Sequence, residues 1–428
     1  MLFAVAAIRA ERRGAGNSDV VGADVRGPVG RVSGSAPPIL RGVRVVRTLA
    51  VFAALAVLHP PPSARATAAL PPSPVVASED ATEDATASNN QVKLVRTQAG
   101  LVLVYVGTGA GGAQVYLARS QDGGAHWSRL AQVSDGPAAS RLPAIALDEA
   151  GRLHVMWTRY DDGVGKIYYR VWAGAWTGPQ QRVSPPVGYA GYPGLAIDPA
   201  GHPQAVWYGI REGGTPLYTR HGSIYEIYYT GFNGRSWSDP ILISTGMPDS
   251  VNPAIAEAPA GRVSAVWYQF DGRVYQVRYA ERDGTWREPE TVFRASSDEF
   301  NPDVAVDAAG TPSLVWERHA DLASAIVYAR RSGATWQGPV PLSSASPAAR
   351  HPSIASGAAG VLYAAWDADD GQIYLRRYAG GWGPAVRLTA DGGDSFPSVA
   401  SDGADAAVAW THTRGGRSVV EYARWAPR

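Results

Sequence analysis

The chain has 428 residues and carries 39 Lys+Arg against 38 Asp+Glu, a net charge of +1, so it lacks the basic excess of a nucleic-acid binder. It has no cysteine, which excludes a disulfide framework, a Cys zinc site, a Cys nucleophile and a lipid-modified Cys anchor. With 48 Gly, 32 Pro, 14 Trp and 20 Tyr against 7 Phe, and only 18% charged residues, it reads as a turn-rich, aromatic-rich all-β protein.

Residues 1–92 stand apart, with Phe3 and Phe52 as their only aromatic residues. Arg41, Arg44 and Arg47 precede the uncharged apolar run Leu49–Leu58, which His59 and Pro60–Pro62 break. Small residues follow, with Ala66 and Ala68 closing two candidate cleavage sites. Basic, apolar, then small is the order of a secretory signal, and this run is too short for a bilayer span, which takes about 20 residues. The expectation is an N-terminal extension and secretory signal over 1–68, with translation starting downstream of Met1, near Val43 or Val45. Residues 69–92, rich in Pro, Ser, Ala, Asp and Glu, read as a flexible linker. The mature protein is expected outside the cell or in its envelope, exported and not membrane-spanning.

From residue 93 the chain repeats. A Pro-x-aliphatic-Ala column recurs at Pro143, Pro193, Pro253, Pro302, Pro352 and Pro397. A second column closes an alternating apolar run at Trp157, Trp207, Trp267, Trp316, Trp366 and Trp410. A third follows a Gly-rich turn at Trp127, Trp176, Trp237, Trp286, Trp336 and Trp382, and the remaining Trp172 and Trp425 match each other. Each repeat spells four strands with period-two alternation and turn residues between them, and four strands in about 45–50 residues are one blade of a β-propeller. Residues 93–428 are therefore expected to form seven four-stranded blades, with six as the alternative count. The last repeat ends after its third strand, and Pro74–Ala77 is the one nearby strand-like segment able to supply the fourth. The Trp and Tyr columns recur in nearly every blade, so they are packing between blades; function belongs to the residues that do not repeat.

One turn is more specific. Ser120-Gln-Asp-Gly-Gly-Ala-His-Trp127 resembles the Asp-box, Ser-x-Asp-x-Gly-x-Thr-Trp, with His126 at the Thr position. Ser120 and Asp122 bond local backbone, Gly124 permits the tight turn and Trp127 anchors it. Eroded versions precede Trp237, Trp286 and Trp336. Across 93–428 the chain thus resembles the sialidase superfamily of Asp-box propellers, in which the Asp-box is structural and lies away from the pocket.

The resemblance implies a site on the funnel face, where sialidases use three arginines for a substrate carboxylate, an Asp acid/base, and a Tyr nucleophile activated by Glu. Arg141-Leu-Pro143 resembles the family's Arg-Ile-Pro, Asp161 and Asp162 lie in the following loop, Arg318 and Arg350 are available to complete a triad, and Glu299 is the candidate activating carboxylate. The departures are plain. Arg141 follows the Asp-box rather than preceding it, Arg350-His-Pro352 shows the same arrangement, seven blades exceed the family's six, and Phe396 stands where the last blades have no Tyr. Blade three also carries a longer loop, in which Arg211, Tyr218, Arg220 and His221, with Tyr192 nearby, are candidate ligand-binding residues.

The sequence-level expectation is a secreted propeller that recognises a glycan through its funnel-face loops without standard sialidase chemistry. The alternatives are a retaining exo-glycosidase acting on a terminal acidic sugar and a protein-interaction scaffold of the cell envelope. A monomer with a glycan or glycoconjugate partner is expected. No nucleic-acid partner, cofactor or metal is expected: the eight His are scattered, and the acidic turns Asp367–Asp370 and Asp391–Asp394 read as solvated.

Overall fold

The computed structural model describes residues 73–427 apart from 89, 110, 187, 211–224, 246–248, 321–322 and 402–403. The segment read as a secretory signal lies outside the described residues. The domain is a seven-bladed β-propeller. Its first blade runs Leu94–Thr97, Gly100–Gly109, Gly112–Ser120 and Ser128–Gln132 from the axis outward. Five further blades begin at Ser140–Leu147, Ala190–Ile197, Ser250–Glu257, Asp298–Val306 and Ala349–Ser356. The last consists of Asp394–Ser401, Ala406–Arg414 and Arg417–Trp425, with Val75–Ala81 as its outer strand. The only helical piece among the described residues is the single turn Ala358–Gly360.

The segment Val75–Ala81 corrects the reading of 69–92 as a flexible linker. It pairs antiparallel with Arg417–Trp425, Val75 opposite Tyr422 and Ala81 opposite Ser418, and it touches the first blade through Ala81 opposite Gly107. A bare third strand would expose a row of unpaired backbone groups, and this N-terminal strand covers it.

The Trp columns pack as their repetition implied. Trp157, Trp207, Trp267, Trp316 and Trp410 are all fully buried. Four of the six outer-turn Trp meet a third-strand Tyr of the preceding blade edge-on: Tyr169–Trp237, Tyr229–Trp286, Tyr279–Trp336 and Tyr328–Trp382 have ring centroids 4.9–5.1 Å apart. Edge-to-face pairs of this kind contribute about 0.5–1.5 kcal/mol each beyond the area they bury.

A second repeating device sits beside the axis. In six blades the innermost strand bulges at the residue before the column proline, and that residue is left-handed: Leu142, Tyr192, Asn252, Asn301, His351 and Phe396 have φ between 49° and 57°. None is glycine, so each conformation costs about 1–3 kcal/mol and persists because the blade imposes it. A bulge re-aims one side chain, and here it does so once per blade around the funnel.

The first blade departs from this plan, with Lys93 standing where the others have proline. Lys93 is fully buried and its Nζ donates to Gln91 Oε1 at 2.8 Å and to the Pro143 carbonyl at 2.5 Å. Gln91 Nε2 reaches the Pro193 carbonyl and Asn90 Nδ2 the Pro253 carbonyl, each at 2.7 Å. The connection entering the first blade therefore crosses the axis and ties blades two, three and four to itself.

Candidate functional site

Two aligned columns facing the funnel fail to repeat. The residues before the column prolines are Leu142, Tyr192, Asn252, Asn301, His351 and Phe396; those after the buried Trp are Thr158, Tyr208, Tyr268, Glu317, Asp367 and Thr411. Symmetric packing would use one residue type throughout each column, so their variety marks the asymmetric part of the ring.

Blades three and four contribute an aromatic arc. Tyr192 stacks on Tyr208 at 4.9 Å, Tyr208 meets Tyr225 edge-on at 5.0 Å, and Tyr189 closes against Tyr208 and Tyr225. In blade four Tyr268 and Tyr275 meet at 5.3 Å, and Phe300 of blade five lies 5.2 Å from each. Tyr268 is within electrostatic reach of Tyr192, which joins the two clusters. Burial lifts the Tyr189, Tyr192, Tyr208 and Tyr268 phenols above their ordinary value, so they act as neutral hydrogen-bonding groups. Tyr275 donates its hydroxyl to Asp249 Oδ2; burial, then the Asp249 charge, holds this phenol protonated.

A polar arc continues through blades five and six. Phe300 packs on His319 at 5.0 Å. Buried Glu317 accepts from His319 Nε2 at 2.7 Å, Asn301 Nδ2 at 2.8 Å and the His351 backbone N–H at 2.8 Å. Asn252 Nδ2 donates to Asn301 Oδ1, and the His351 ring bonds both Asp367 carboxylate oxygens at 3.0 Å while packing on Phe396. Burial alone would raise the Glu317 carboxyl; the His319 hydrogen bond and the His351 charge outweigh it and bring the group down to about 2. Burial lowers His351, but Asp367 and Glu317 lift it above its ordinary value. The result is an ionised carboxylate and a histidine favoured as a cation, side by side in a low-dielectric ring.

The residues expected from sequence fall as follows. Arg141 Nη1 bonds the Asp84 carboxylate, 2.6 Å from Oδ1. Arg318 Nε donates to Glu299 Oε1 at 2.6 Å, so Glu299 pairs with an arginine and Tyr275 takes Asp249 instead. Burial outweighs Arg318 and raises the Glu299 carboxyl to about 7. Asp161 forms an ion pair with Arg159 and accepts from the Tyr168 hydroxyl, Asp162 is exposed and left-handed, and Arg350 is exposed. Two of the three candidate triad arginines are thus neutralised internally. Tyr192 belongs to the aromatic arc, whereas Arg211, Tyr218, Arg220 and His221 lie outside the described residues. Sequence reasoning missed Asp84, Asp249, Tyr268, Tyr275, Glu317 and His351. Three of these six, Tyr268, Glu317 and His351, sit directly beside a repeating Trp or Pro position, and reading the columns for non-repetition would have found them.

The Ser120–Trp127 turn holds itself by its own side chains. Ser120 Oγ donates to Asp122 Oδ1 and accepts from the Gly124 N–H, each at 2.8 Å, and Asp122 accepts from the His126 N–H at 2.9 Å. As for metals, Asp394, His412 and Glu421 bring one potential ligand atom each within 4.8 Å, but Asp394 Oδ1 already accepts from Trp410 Nε1 and bonds His412 Nδ1. Among the described residues no helix is long and apolar enough to cross a membrane.

No family model and no curated protein matches the sequence. Solved structures do match. An ulvan lyase of polysaccharide lyase family PL25, bound to -[GlcA(1-4)Rha3S]-, aligns with a TM-score of 0.56 at 12% identity over 83% of this chain and 96% of that one. A protein of unknown function from Dyadobacter fermentans aligns with a TM-score of 0.51 at 15% identity, over 68% of this chain and 95% of that one. A Trypanosoma rangeli sialidase in complex with the inhibitor DANA aligns with a TM-score of 0.47 at 11% identity, over 67% of this chain and 55% of that one. The domain has the β-propeller fold. At these identities the likeness is one of fold alone.

Proposed function

We propose that this is an exported carbohydrate-binding propeller whose ligand lies on the funnel face across blades three to six. The observation that carries the reading is the continuity of the aromatic arc, Tyr192 to Phe300, with the polar ring of Asn301, Glu317 and His351. Aromatic faces stack on the C–H faces of sugars, and fixed carboxylate, amide and imidazole groups bond their hydroxyls. The arginines bonded to Asp84 and Glu299 are not free to grip a substrate carboxylate, which weighs against sialidase-type hydrolysis. The test is a glycan array followed by titration of the retained glycan against wild type and Tyr192→Ala. Retention with a loss of about tenfold or more in the variant is expected. No retained glycan, or an unaffected variant, overturns it.

A second reading, a retaining glycoside hydrolase, is favoured by the Tyr275–Asp249 pair. Because the phenol is held protonated, attack by its oxygen on an anomeric carbon has to be accompanied by proton transfer to Asp249, while the glycosidic C–O bond breaks and the departing aglycone oxygen takes a proton from solvent. Turnover of a fluorogenic panel of acidic glycosides that is lost in Tyr275→Phe and Arg141→Ala supports this reading, and no turnover eliminates it.

A further inference from the structure

The connection entering the first blade delivers a carboxylate to the funnel. Asp84 Oδ1 accepts from Thr82 Oγ1 at 2.6 Å and from Arg141 Nη1 at 2.6 Å, and Oδ2 bonds the same Arg141 nitrogen. The backbone around Asp84 is pinned: the Thr82 N–H donates to Val106, the Ala87 N–H donates to Asp84, and the buried Thr86 bonds Thr411 through both its N–H and its hydroxyl. Beyond it Asn90, Gln91 and Lys93 hold the axis. Asp84 is therefore held against Arg141 by its own segment rather than by the ion pair alone. Tyr160 lies within electrostatic reach of Asp84, Arg141 and Tyr192, and Tyr192 within reach of Asp84, so this ion pair borders the aromatic arc.

We infer that Asp84 is a built-in occupant of a carboxylate-binding position on Arg141 and so sets the charge specificity of the funnel against acidic sugars. This rests on the reading above that the aromatic arc binds carbohydrate. The physical case is direct. Arg141 is seen holding a carboxylate, which shows that its position suits one. While Asp84 is there, an incoming uronate finds the guanidinium neutralised and meets a like charge at close range, whereas an uncharged sugar loses nothing. Removing the Asp84 charge leaves Arg141, whose side chain is 37% exposed, at the edge of the arc without its carboxylate.

The test titrates D-glucuronate and D-glucose into the full chain as wild type, Asp84→Asn and the double variant Asp84→Asn/Arg141→Met, with thermal midpoints recorded for each. The expected result is a gain of about tenfold or more for glucuronate in Asp84→Asn, without a gain for glucose, weakened by salt and lost in the double variant. An unchanged glucuronate affinity in folded Asp84→Asn, or wild type binding glucuronate as tightly as the variant, overturns the inference. Should Asp84→Asn unfold, wild type decides by a salt titration: its glucuronate affinity is expected not to exceed its glucose affinity at low salt, and tighter glucuronate binding that salt weakens shows that Arg141 already serves acidic ligands. A Tyr192→Ala change on the Asp84→Asn background separates this inference from the reading beneath it. A glucuronate gain that needs Arg141 but ignores Tyr192 keeps the anion position and removes the shared carbohydrate site.

Discussion

The ring of Tyr422 in the last blade packs on that of Trp127 in the first, centroids 5.2 Å apart, and its hydroxyl donates to the Gly123 carbonyl. The same Tyr–Trp seam joins blades two to six, so the contact that closes the circle copies those inside it. Here it meets the tight turn of Ser120–Trp127. Gly124 has φ of 101°, and a Cβ on it would lie 1.9 Å from Tyr422 Cε1. Gly124→Ala and Tyr422→Ala are both expected to destabilise the domain, the second by about 3–5 kcal/mol as for other buried aromatic truncations. Chemical denaturation of both variants checks this, and a wild-type midpoint for either refutes the seam.

Deleting Val75–Ala81 removes the outer strand of the last blade and exposes the edge of Arg417–Trp425. A lower thermal midpoint and a greater tendency to self-associate are expected, since unpaired edges pair with other chains. Scanning calorimetry and light scattering measure both, and unchanged values count against the strand as a closing element.

Lys93 gives the axis a pH signature. Burial pulls its amine well below the ordinary 10.5. The unfolded chain then takes up a proton that the folded one does not, so this residue's contribution to stability grows as pH rises toward the ordinary lysine range. Lys93→Met removes that slope but leaves the Pro143 carbonyl unpaired, at a cost of about 1–3 kcal/mol. Urea midpoints of both proteins from neutral to alkaline pH should show wild type gaining on the variant. Parallel curves refute a lowered amine at the axis.

Two carboxylates of blade five titrate in opposite senses. Glu299, raised from 4.5 to about 7, contributes stability that is full below its unfolded value and is lost as pH rises through about 7. Glu317, lowered from 4.5 to about 2, contributes stability that is present above 4.5 and is lost as pH falls through about 2. Glu299→Gln is expected to flatten the stability profile between about 4.5 and 7, and Glu317→Gln to flatten it below 4.5. Glu317→Ala should cost about 3–5 kcal/mol, because it strands His319 and the His351 N–H. Stability curves across this range that overlay wild type would refute both assignments.

Much of the architecture was legible in the residue order. The proline and Trp columns mark where each inner strand begins and each second strand ends, because period-two burial and turn chemistry act over a few residues and recur in every blade. The candidate site was legible only in part. Arg141, Glu299 and Arg318 were visible as charges on funnel loops, but not that Asp84 lies on the first and that the other two satisfy each other.

What the sequence by itself determined is therefore the repeating part: seven blades, their register, and the packing role of the Trp. The tertiary structure decided the rest. Asp84 and Arg141 are 57 residues apart, Thr86 and Thr411 are 325 apart, and Val75 meets Tyr422 only when the ring closes. Those partners share no local pattern; the curvature of the ring brings them together around the axis, where the columns facing the funnel vary from blade to blade.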